Sequence, residues 1–547
     1  MSRTPFLRSS FLAALAWLAC AGVANCQTFS VLFDFGPEND PLNPSFEGII
    51  AQGRDGLLYS TSPNVNSGAN GTFFNITTAG LLTVPYYFIA GNVAESGATL
   101  GTDGNFYVTT EQSENDAGEL YQITPSGVHI VHVFTGGSDG GGPKAPPVEG
   151  FDENYYGTTN SGGANGWGTV YKLTPAGKFT TIYSFVSFAE GADPWAPLVQ
   201  GTDGNFYGVT FEGGSSGGGV FYKITRAGQF TALNDFSGIG GAVGPLVEGN
   251  DGNYYGTTSQ GGSDALGTVF KVTPAGKLTV LHNFTGSPDG STPNAGLVLA
   301  NDGNFYGVTE FGGDSTNCQN GCGTIFKMTP SGTVSILYNF DLTTGYEPNA
   351  TLTQHTNGLL YVDTTIGGMS TVCTQGCGVF FSLETNPPLK PFARLVLPAG
   401  IVGSTVEMLG QGFTGTSSVS FNGVNAKFSV VTDTYLTATL PSGAKTGSVK
   451  VTTPSGVLLS NRSFRVTPQI KSFTPPSGAV GTVVTITGAG LIQTSKVTFG
   501  GVAATTFTVN SDSQVAATVP TGALTGKIVI TTPGGTASSA SSFTVTP

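Results

Sequence analysis

The sequence predicts an all-β fold, a seven-bladed β-propeller closed by its N-terminal strand and followed by two immunoglobulin-like β-sandwich domains. Three observations predict it: seven copies of a repeat of roughly 50 residues, two later segments that resemble each other, and 82 glycines, which suit many tight turns. Hydrophobic residues make up 39% of the chain, with 37 Phe and 18 Tyr, so sizeable cores can form.

The repeat centres on the motif Asp-Gly-Asn-Phe-Tyr-Gly, which recurs seven times with variations. The second aromatic residue of the motif falls at Tyr59, Tyr107, Tyr156, Tyr207, Tyr255, Tyr306 and Tyr361. Consecutive copies are 48 to 55 residues apart, which is the size of one four-stranded blade and too long for a leucine-rich or ankyrin unit. We therefore expect seven blades.

Each copy contains four short runs with strand character. In one copy the runs cover residues 196–200, 205–210, 220–225 and 229–236. Asp203-Gly204 and Ala227-Gly228 lie between runs as hairpin turns, because glycine supplies the positive φ that such turns need. Each blade is therefore expected to be an antiparallel meander.

The last copy is incomplete, because no fourth run follows its third run at residues 378–383. The N-terminal run at residues 28–35 matches the fourth-run pattern of residues 178–185. If this run pairs with the last copy, the ring has no open edge. The count favours a closed ring over residues 27–385.

After residue 385 the composition changes, and the proline-rich residues 386–394 predict a stiff linker. The segments 395–467 and 468–547 then align with each other at an offset of 78 to 79 residues. Their alternating runs, such as residues 448–453 and 527–532, fit two compact sandwiches.

Two resemblances to known families rest on these motifs. Asp-Gly-Asn-Phe/Tyr-Tyr-Gly, followed by Gly-Thr-Val-Phe/Tyr-Lys-x-Thr-Pro-x-Gly, resembles the GloVer tandem repeat of exported bacterial proteins over about residues 28–385. That resemblance implies export and a repeat scaffold, with no defined activity. Residues 475–491 and 497–501 resemble TIG (IPT) domains, which implies spacer or adhesion units; the first copy departs from the pattern at Met408 and Asn422.

The N-terminus predicts export. Arg3 and Arg8 precede an apolar stretch at residues 11–24, so residues 1–26 are expected to be a signal peptide cleaved after Cys26; lipidation of Cys26 is the alternative. Removing the signal peptide shifts the net charge from -13 to -15, and such an acidic chain argues against a nucleic-acid partner. No later stretch is long enough for a transmembrane segment, so an extracellular or cell-surface location is expected.

Four cysteines remain after residue 26: Cys318, Cys322, Cys373 and Cys377. An even count in an exported protein favours disulfides, either within or between the two Cys-x-x-x-Cys loops. Zinc is the competing interpretation, but zinc sites usually have Cys-x-x-Cys spacing or a nearby His.

The sequence predicts no catalytic residue, metal site or cofactor. The Asp-Gly turns lack the acidic series of a calcium loop, and the Gly-x-Ser-x-Gly matches at Ser138 and Ser215 have no predicted helix after them. Assigning His129, His132, His282 or His355 to a triad would be guesswork.

One face of the ring is predicted to carry long, varied loops, which is where binding usually occurs on a rigid scaffold. Trp167 and Trp195 fall on this side and are candidate ligand-binding residues, with packing between blades as the alternative. Several acids recur in the same loops: Glu38, Asp40, Glu95, Asp139, Glu190, Asp193, Asp289 and Glu347.

The leading hypothesis is a non-catalytic extracellular or cell-surface binding and scaffold protein whose variable face contacts a glycan or a surface protein. The first alternative is a propeller hydrolase or lyase that acts on polysaccharide through carboxylates in the central funnel. The second is a structural component of the envelope or matrix.

Overall fold

A computed structural model describes residues 27–36, 41–44, 48–65, 71–88, 92–112 and 117–547. Within these ranges the regular structure is almost entirely β, and the only helical element is the three-residue 3-10 helix Phe188–Glu190. The all-β prediction is therefore confirmed. The expected signal peptide lies outside the described residues. None of the described helical structure is long and apolar enough to cross a membrane.

Seven four-stranded antiparallel sheets occupy residues 28–384, and we interpret them as blades 1 to 7. Blade 1 contains the strands Ala51–Gln52, Leu58–Ser62, Thr72–Ile76 and Leu82–Tyr87, and blade 2 contains Thr99–Leu100, Phe106–Thr110, Glu119–Thr124 and Gly127–Val133. Blade 3 contains Val148–Glu149, Tyr155–Thr159, Thr169–Leu173 and Phe179–Ser184. Blade 4 contains Val199–Gln200, Phe206–Val209, Val220–Ile224 and Phe230–Asp235. The strands of blades 5 to 7 are Val247–Glu248, Tyr254–Thr258, Thr268–Val272 and Leu278–Asn283; Val298–Leu299, Phe305–Thr309, Thr324–Met328 and Val334–Asn339; Thr353–Gln354, Leu360–Asp363, Val379–Glu384 and Thr28–Asp34.

The N-terminal strand completes blade 7. Thr28–Asp34 pairs antiparallel with Val379–Glu384, with one register shift between Val31 and Phe33. The ring of Phe29 also stacks on Tyr338 of blade 6, with ring centres 3.8 Å apart. The strand thus covers an edge that would otherwise expose unpaired backbone groups.

Adjacent blades pack against one another. Aromatic rings fill the junctions, as between Tyr156 and Phe206, whose ring centres are 4.2 Å apart. Ile49, just before the first strand of blade 1, forms parallel bridges with Gly97 of blade 2 and with Thr351 of blade 7. Blades 1 and 7 are therefore in direct contact, and the seven sheets form a closed cycle.

The repeated tyrosine ties each blade to its own turn. In blades 1 to 6 its hydroxyl donates to the Asp four residues earlier, at 2.6 to 3.0 Å, in the pairs Tyr59–Asp55, Tyr107–Asp103, Tyr156–Asp152, Tyr207–Asp203, Tyr255–Asp251 and Tyr306–Asp302. In blade 7 Asn357 Nδ2 donates to the Tyr361 hydroxyl at 2.9 Å. These bonds explain why Asp and Tyr recur together, since each pair fixes a hairpin.

Two β-sandwiches follow the ring. The first sandwich consists of the sheet Arg394–Leu395, Thr405–Leu409, Tyr435–Thr439 and Phe428–Val430 and the sheet Val424–Ala426, Ser418–Phe421, Val449–Thr453 and Gly456–Leu459. The second sandwich consists of the sheet Gln469–Thr474, Val483–Ala489, Gln514–Thr518 and Phe507–Ser511 and the sheet Ser477–Gly478, Gly535–Val545, Gly526–Thr532, Lys496–Phe499 and Val502–Ala503. Each encloses its own apolar core, around Met408 and Phe421 in the first and Ile486 and Phe499 in the second.

The first sandwich packs onto the propeller, on the face formed by the turns between first and second strands, which we call the turn face. The sandwich contacts blades 1 and 4 through the pairs Arg54–Glu407 at 2.6 Å and Gly201–Arg465 at 3.3 Å. The segment before the sandwich is packed as well, since Leu389 and Phe392 are buried and the Lys390 carbonyl accepts from Asn301 Nδ2 of blade 6 at 2.6 Å. The sandwich therefore covers part of the turn face.

Candidate ligand-binding face

The face opposite the first sandwich carries the connections between second and third strands and those between successive blades. We call it the loop face. Its connections are long, as at residues 185–198 and 310–323, whereas the turn-face connection at residues 201–205 is short. Because the first sandwich covers part of the turn face, the loop face is where the rigid ring presents variable loops.

Both disulfides lie on the loop face. The structure pairs Cys318 with Cys322 and Cys373 with Cys377, so each bridge closes within its own loop, in blades 6 and 7 respectively. Cys322 and Cys377 are fully buried, and each bridge ties a partly exposed loop to the buried start of a third strand. No cluster of His, Cys, Asp and Glu suited to a metal ion occurs among the described residues.

Trp167 is displayed on the loop face. It lies in the connection between the second and third strands of blade 3, and its edge packs against Phe188, with ring centres 5.7 Å apart and ring planes at 64°. Trp167 is 38% exposed and Phe188 is 39% exposed. We call this pair the Trp167–Phe188 platform. Val186, at 52% exposure, lies two residues before Phe188 and adds apolar surface.

Trp195 is packed against two neighbouring side chains. Phe211 stacks on its ring, with ring centres 4.5 Å apart and planes at 9°. The Lys144 ammonium also lies over the ring, 4.4 Å from its centre. Trp195 is therefore less available than Trp167 to stack on a sugar.

The segments that carry the two tryptophans touch each other. Gly168, next to Trp167, lies so close to Pro194, next to Trp195, that a Cβ on Gly168 would be 2.8 Å from Pro194 Cδ. Its φ of 96° is also unfavourable for other residues. The platform and Trp195 consequently belong to one surface, at the junction of blades 3 and 4.

Carboxyl groups surround Lys144 beside this surface. Lys144 Nζ lies 2.9 Å from Glu111 Oε1. Burial, reinforced by the charge of Glu111, raises the pKa of Glu95, and Lys144 opposes that shift. Burial likewise raises the pKa of Asp193 to about 6, while Trp195 and Lys144 lower it. Polar groups of both signs are thus concentrated beside Trp195, on the surface that also carries the platform.

A second buried carboxyl lies on the loop face of blades 6 and 7. Glu310 is 8% exposed and accepts hydrogen bonds from Asn294 Nδ2 at 2.7 Å and Asn349 Nδ2 at 3.5 Å. Burial, followed by repulsion from the Glu347 carboxylate, raises its pKa to about 7. Ionisation of this carboxyl therefore destabilises the folded protein.

The other acids expected in these loops hold local structure. Asp139 lies 3.0 Å from His132 Nε2, and Asp289 lies 2.8 Å from His282 Nε2. Glu190 accepts a hydrogen bond from the Tyr183 hydroxyl at 2.6 Å. Glu38 and Asp40 lie outside the described residues.

The motif matches for a nucleophile have no structural support among the described residues. Ser138 and Ser215 lie in glycine-rich loops, and no helix follows either one, whereas a nucleophile elbow is a strand-to-helix turn. The His132–Asp139 pair braces the loop that contains Ser138, because Asp139 also accepts a bond from the Thr135 backbone N–H at 3.2 Å.

Sequence reasoning singled out both tryptophans and missed their neighbours. Phe188, Phe211, Lys144 and Glu111 come from four different connections, and only the closed ring brings them together. One signal was available, since Lys144 and Trp195 each follow a proline shortly before the first strand of their blade.

Fold and site together define a repeat-built, all-β ring that displays aromatic and polar groups on one face and carries two sandwiches on the other. The Gloeobacter/Verrucomicrobia repeat matches residues 43–245, 94–318 and 240–388, which together exceed half of the chain. The chain therefore belongs to this repeat family. IPT/TIG domains match residues 394–466 and 468–545, so the two sandwiches are TIG domains. Both resemblances seen in the sequence are confirmed.

Three solved structures with low similarity to the chain are the following. A fungal alcohol oxidase of the AA5 family, in complex with copper, is 14% identical at a TM-score of 0.43, over 81% of this chain and 99% of that one. The surface glycan-binding protein PbSGBP-B from Prevotella bryantii is 17% identical at a TM-score of 0.22, over 27% of this chain and 38% of that one. SGBP-B from a complex xyloglucan utilization locus in Bacteroides uniformis is 23% identical at a TM-score of 0.15, over 28% of this chain and 50% of that one. These likenesses carry no argument about function. No curated protein matches the chain.

Proposed function

We propose that the protein is an exported, non-catalytic surface protein that binds a glycan on its loop face, at the junction of blades 3 and 4. The observation that carries the proposal is the Trp167–Phe188 platform, in which two aromatic rings are displayed by a rigid scaffold. Aromatic faces offer large apolar contact area at little cost in side-chain entropy, and the C–H groups of a sugar ring pack well on them.

Polar groups beside the platform support the same ligand class. Lys144, Glu111 and Asp193 provide hydrogen-bond donors and acceptors close to the aromatic surface. A few placed polar groups next to apolar surface orient a ligand and give specificity. Sugar hydroxyls can satisfy both an ammonium and a carboxylate, so the mixed charge suits a polyhydroxylated ligand.

A protein partner is the competing occupant of this surface. A stable protein interface buries about 1,600 Å² and is built around several well-packed anchors. Among the residues that the structure describes, the exposed large apolar side chains at this junction are Trp167, Phe188 and Val186, and the surrounding loops are rich in Gly, Ser and Asn. The small platform favours a sugar ring over a protein.

Affinity electrophoresis against a panel of neutral and acidic polysaccharides tests the proposal. We expect at least one polysaccharide to retard the wild-type protein, and Trp167→Ala or Phe188→Ala to weaken that retardation at least about tenfold. The matched control is Met369→Ala, because Met369 is 74% exposed and lies in the second connection of blade 7. Retardation unaffected by Trp167→Ala would contradict the proposal, and so would no retardation by any polysaccharide.

A polysaccharide hydrolase or lyase is the second candidate, and the acidic group around Lys144 favours it. A carboxyl with a pKa of about 6, as at Asp193, can keep a proton near neutral pH, which a general acid requires. The check is release of reducing ends or unsaturated sugars from any polysaccharide that binds. The non-catalytic proposal expects none. Release that Asp193→Asn and Glu111→Gln each abolish would establish the second candidate instead.

A further inference from the structure

Two adjoining cavities of about 200 and 280 Å³ lie between the ring and the first sandwich. The ring side comes from the first strands and flanking residues of blades 1, 2, 5, 6 and 7, including Ile49, Val247 and Val298. The first sandwich supplies Arg394 and Arg462 to both cavities. Two arginines therefore line these cavities beside aliphatic and polar side chains.

Neither guanidinium is neutralised by a neighbouring carboxylate. No ion pair in the described ranges includes Arg394 or Arg462. Arg394 donates to the backbone carbonyl of Gln354 and, at 3.5 Å, to Thr353 Oγ1, while its buried Nε has no hydrogen-bond partner. A buried donor left unpaired is costly, which makes it a candidate to receive a ligand.

Arg462 is an exposed residue that lines both cavities. The Glu248 carboxylate attracts it, although from beyond ion-pair distance, and Glu248 itself accepts a bond from the Thr202 N–H at 3.1 Å. Burial, followed by the positive charge of Arg462, lowers the pKa of Arg394 to about 10. Both groups remain protonated at neutral pH and repel each other.

We propose that these two cavities form an anion-binding site, in which Arg394 and Arg462 hold the carboxylate, sulfate or phosphate group of a small ligand. An oxyanion accepts from both planar guanidinium groups, removes their mutual repulsion and satisfies the unpaired Nε. The first sandwich is thus part of a binding site, and the site is separate from the Trp167–Phe188 platform.

The test measures binding of inorganic sulfate, inorganic phosphate and glucuronate to the full mature chain by calorimetry, at constant ionic strength set with NaCl. We expect saturable binding of at least one of these anions to the wild type, and at least about tenfold weaker binding to Arg462→Gln, which loses charged hydrogen bonds. Sulfate or phosphate binding without glucuronate binding assigns a tetrahedral group, and the reverse assigns a carboxylate. Arg226→Gln is the matched control, since Arg226 is 54% exposed on the propeller surface.

A second measurement covers the case in which Arg462→Gln does not fold. Crystals of the wild-type protein soaked in selenate should show an anomalous peak between the guanidinium groups of Arg394 and Arg462. Absence of both calorimetric binding and this peak overturns the inference, and so does equal binding by Arg462→Gln. None of these outcomes depends on Trp167, so the anion proposal and the glycan proposal are tested independently.

Discussion

The Lys144 ammonium lies 4.4 Å from the centre of the Trp195 ring, and Phe211 stacks on the same ring at 4.5 Å. Trp167 has no comparable cover and presents its ring beside Phe188. The two tryptophans of residues 27–547 thus have different roles. Trp195 helps to build the loop face, and Trp167 is displayed on it.

The first prediction separates these roles by stability. Trp195→Ala should lower the free energy of unfolding by about 2–3 kcal/mol, because it removes a ring packed against Phe211 and Lys144 and leaves a void. Trp167→Ala should change it by less than about 1 kcal/mol, since the side chain is largely displayed. Urea unfolding followed by circular dichroism measures both. Equal losses for the two variants would contradict the assignment.

The second prediction concerns ring closure. Deleting residues 28–34 exposes Val379–Glu384 as a sheet edge and removes the stack of Phe29 on Tyr338. We expect the melting temperature to fall by about 10 °C or more and aggregation to increase. The control is Val31→Thr, which keeps the ladder and changes an exposed side chain. A deletion variant as stable as the control would show that the strand does not close the ring.

The third prediction is a pH dependence. The pKa of Glu310 is raised to about 7 in the folded protein, so ionisation disfavours the fold, and stability from this group declines as pH rises from about 4.5 through 7. Glu310→Gln removes that decline. The free energy of unfolding of the variant, relative to that of the wild type, should therefore rise by on the order of 2 kcal/mol between pH 5 and pH 8.5.

Thermal melts of both proteins at the two pH values measure this difference. Glu384→Gln is the control, because Glu384 is exposed at a strand end. The account of Glu310 is wrong if raising the pH increases the stability of Glu310→Gln, relative to the wild type, no more than it increases that of Glu384→Gln.

The fourth prediction tests docking of the first TIG domain. Arg54 and Glu407 are 29% and 12% exposed and lie 2.6 Å apart across the interface with blade 1. A double-mutant cycle with Arg54→Met and Glu407→Gln should give a coupling of about 1–2 kcal/mol in unfolding. The pair Arg226–Asp152, separated by 3.9 Å and with Arg226 54% exposed, should couple by less than about 0.5 kcal/mol. A near-zero value for the first pair would indicate a TIG domain that moves freely as a spacer.

The architecture was predictable from sequence because each blade repeats the same local chemistry. The Tyr107–Asp103 bond and its equivalents lie within one hairpin, so their residues recur at fixed spacing. The N-terminal strand was predictable for the same reason, since its pattern matches the fourth strand of other blades. The all-β fold and both families followed from these patterns.

The sites were less predictable because their residues meet across blades and domains. Phe188 and Lys144 belong to different connections, and no periodicity links them to Trp167 or Trp195. The docking of the first TIG domain was also hidden, because Arg394 and Arg462 have no partners at a fixed sequence distance. Residues 386–394 are predicted to be a stiff linker, and the pattern gave no sign that Leu389 and Phe392 within them are buried.

Fluorescence of single-tryptophan proteins tests the central claim most directly. In a protein of residues 27–547, Trp195→Phe leaves Trp167 as the only indole, and Trp167→Phe leaves Trp195. When a polysaccharide that retards the wild type is added, we predict that Trp167 emission shifts to the blue and becomes protected from acrylamide quenching, while Trp195 emission stays unchanged. A ligand that binds both proteins but alters neither spectrum, or only that of Trp195, would contradict the assignment of the glycan site to the Trp167–Phe188 platform.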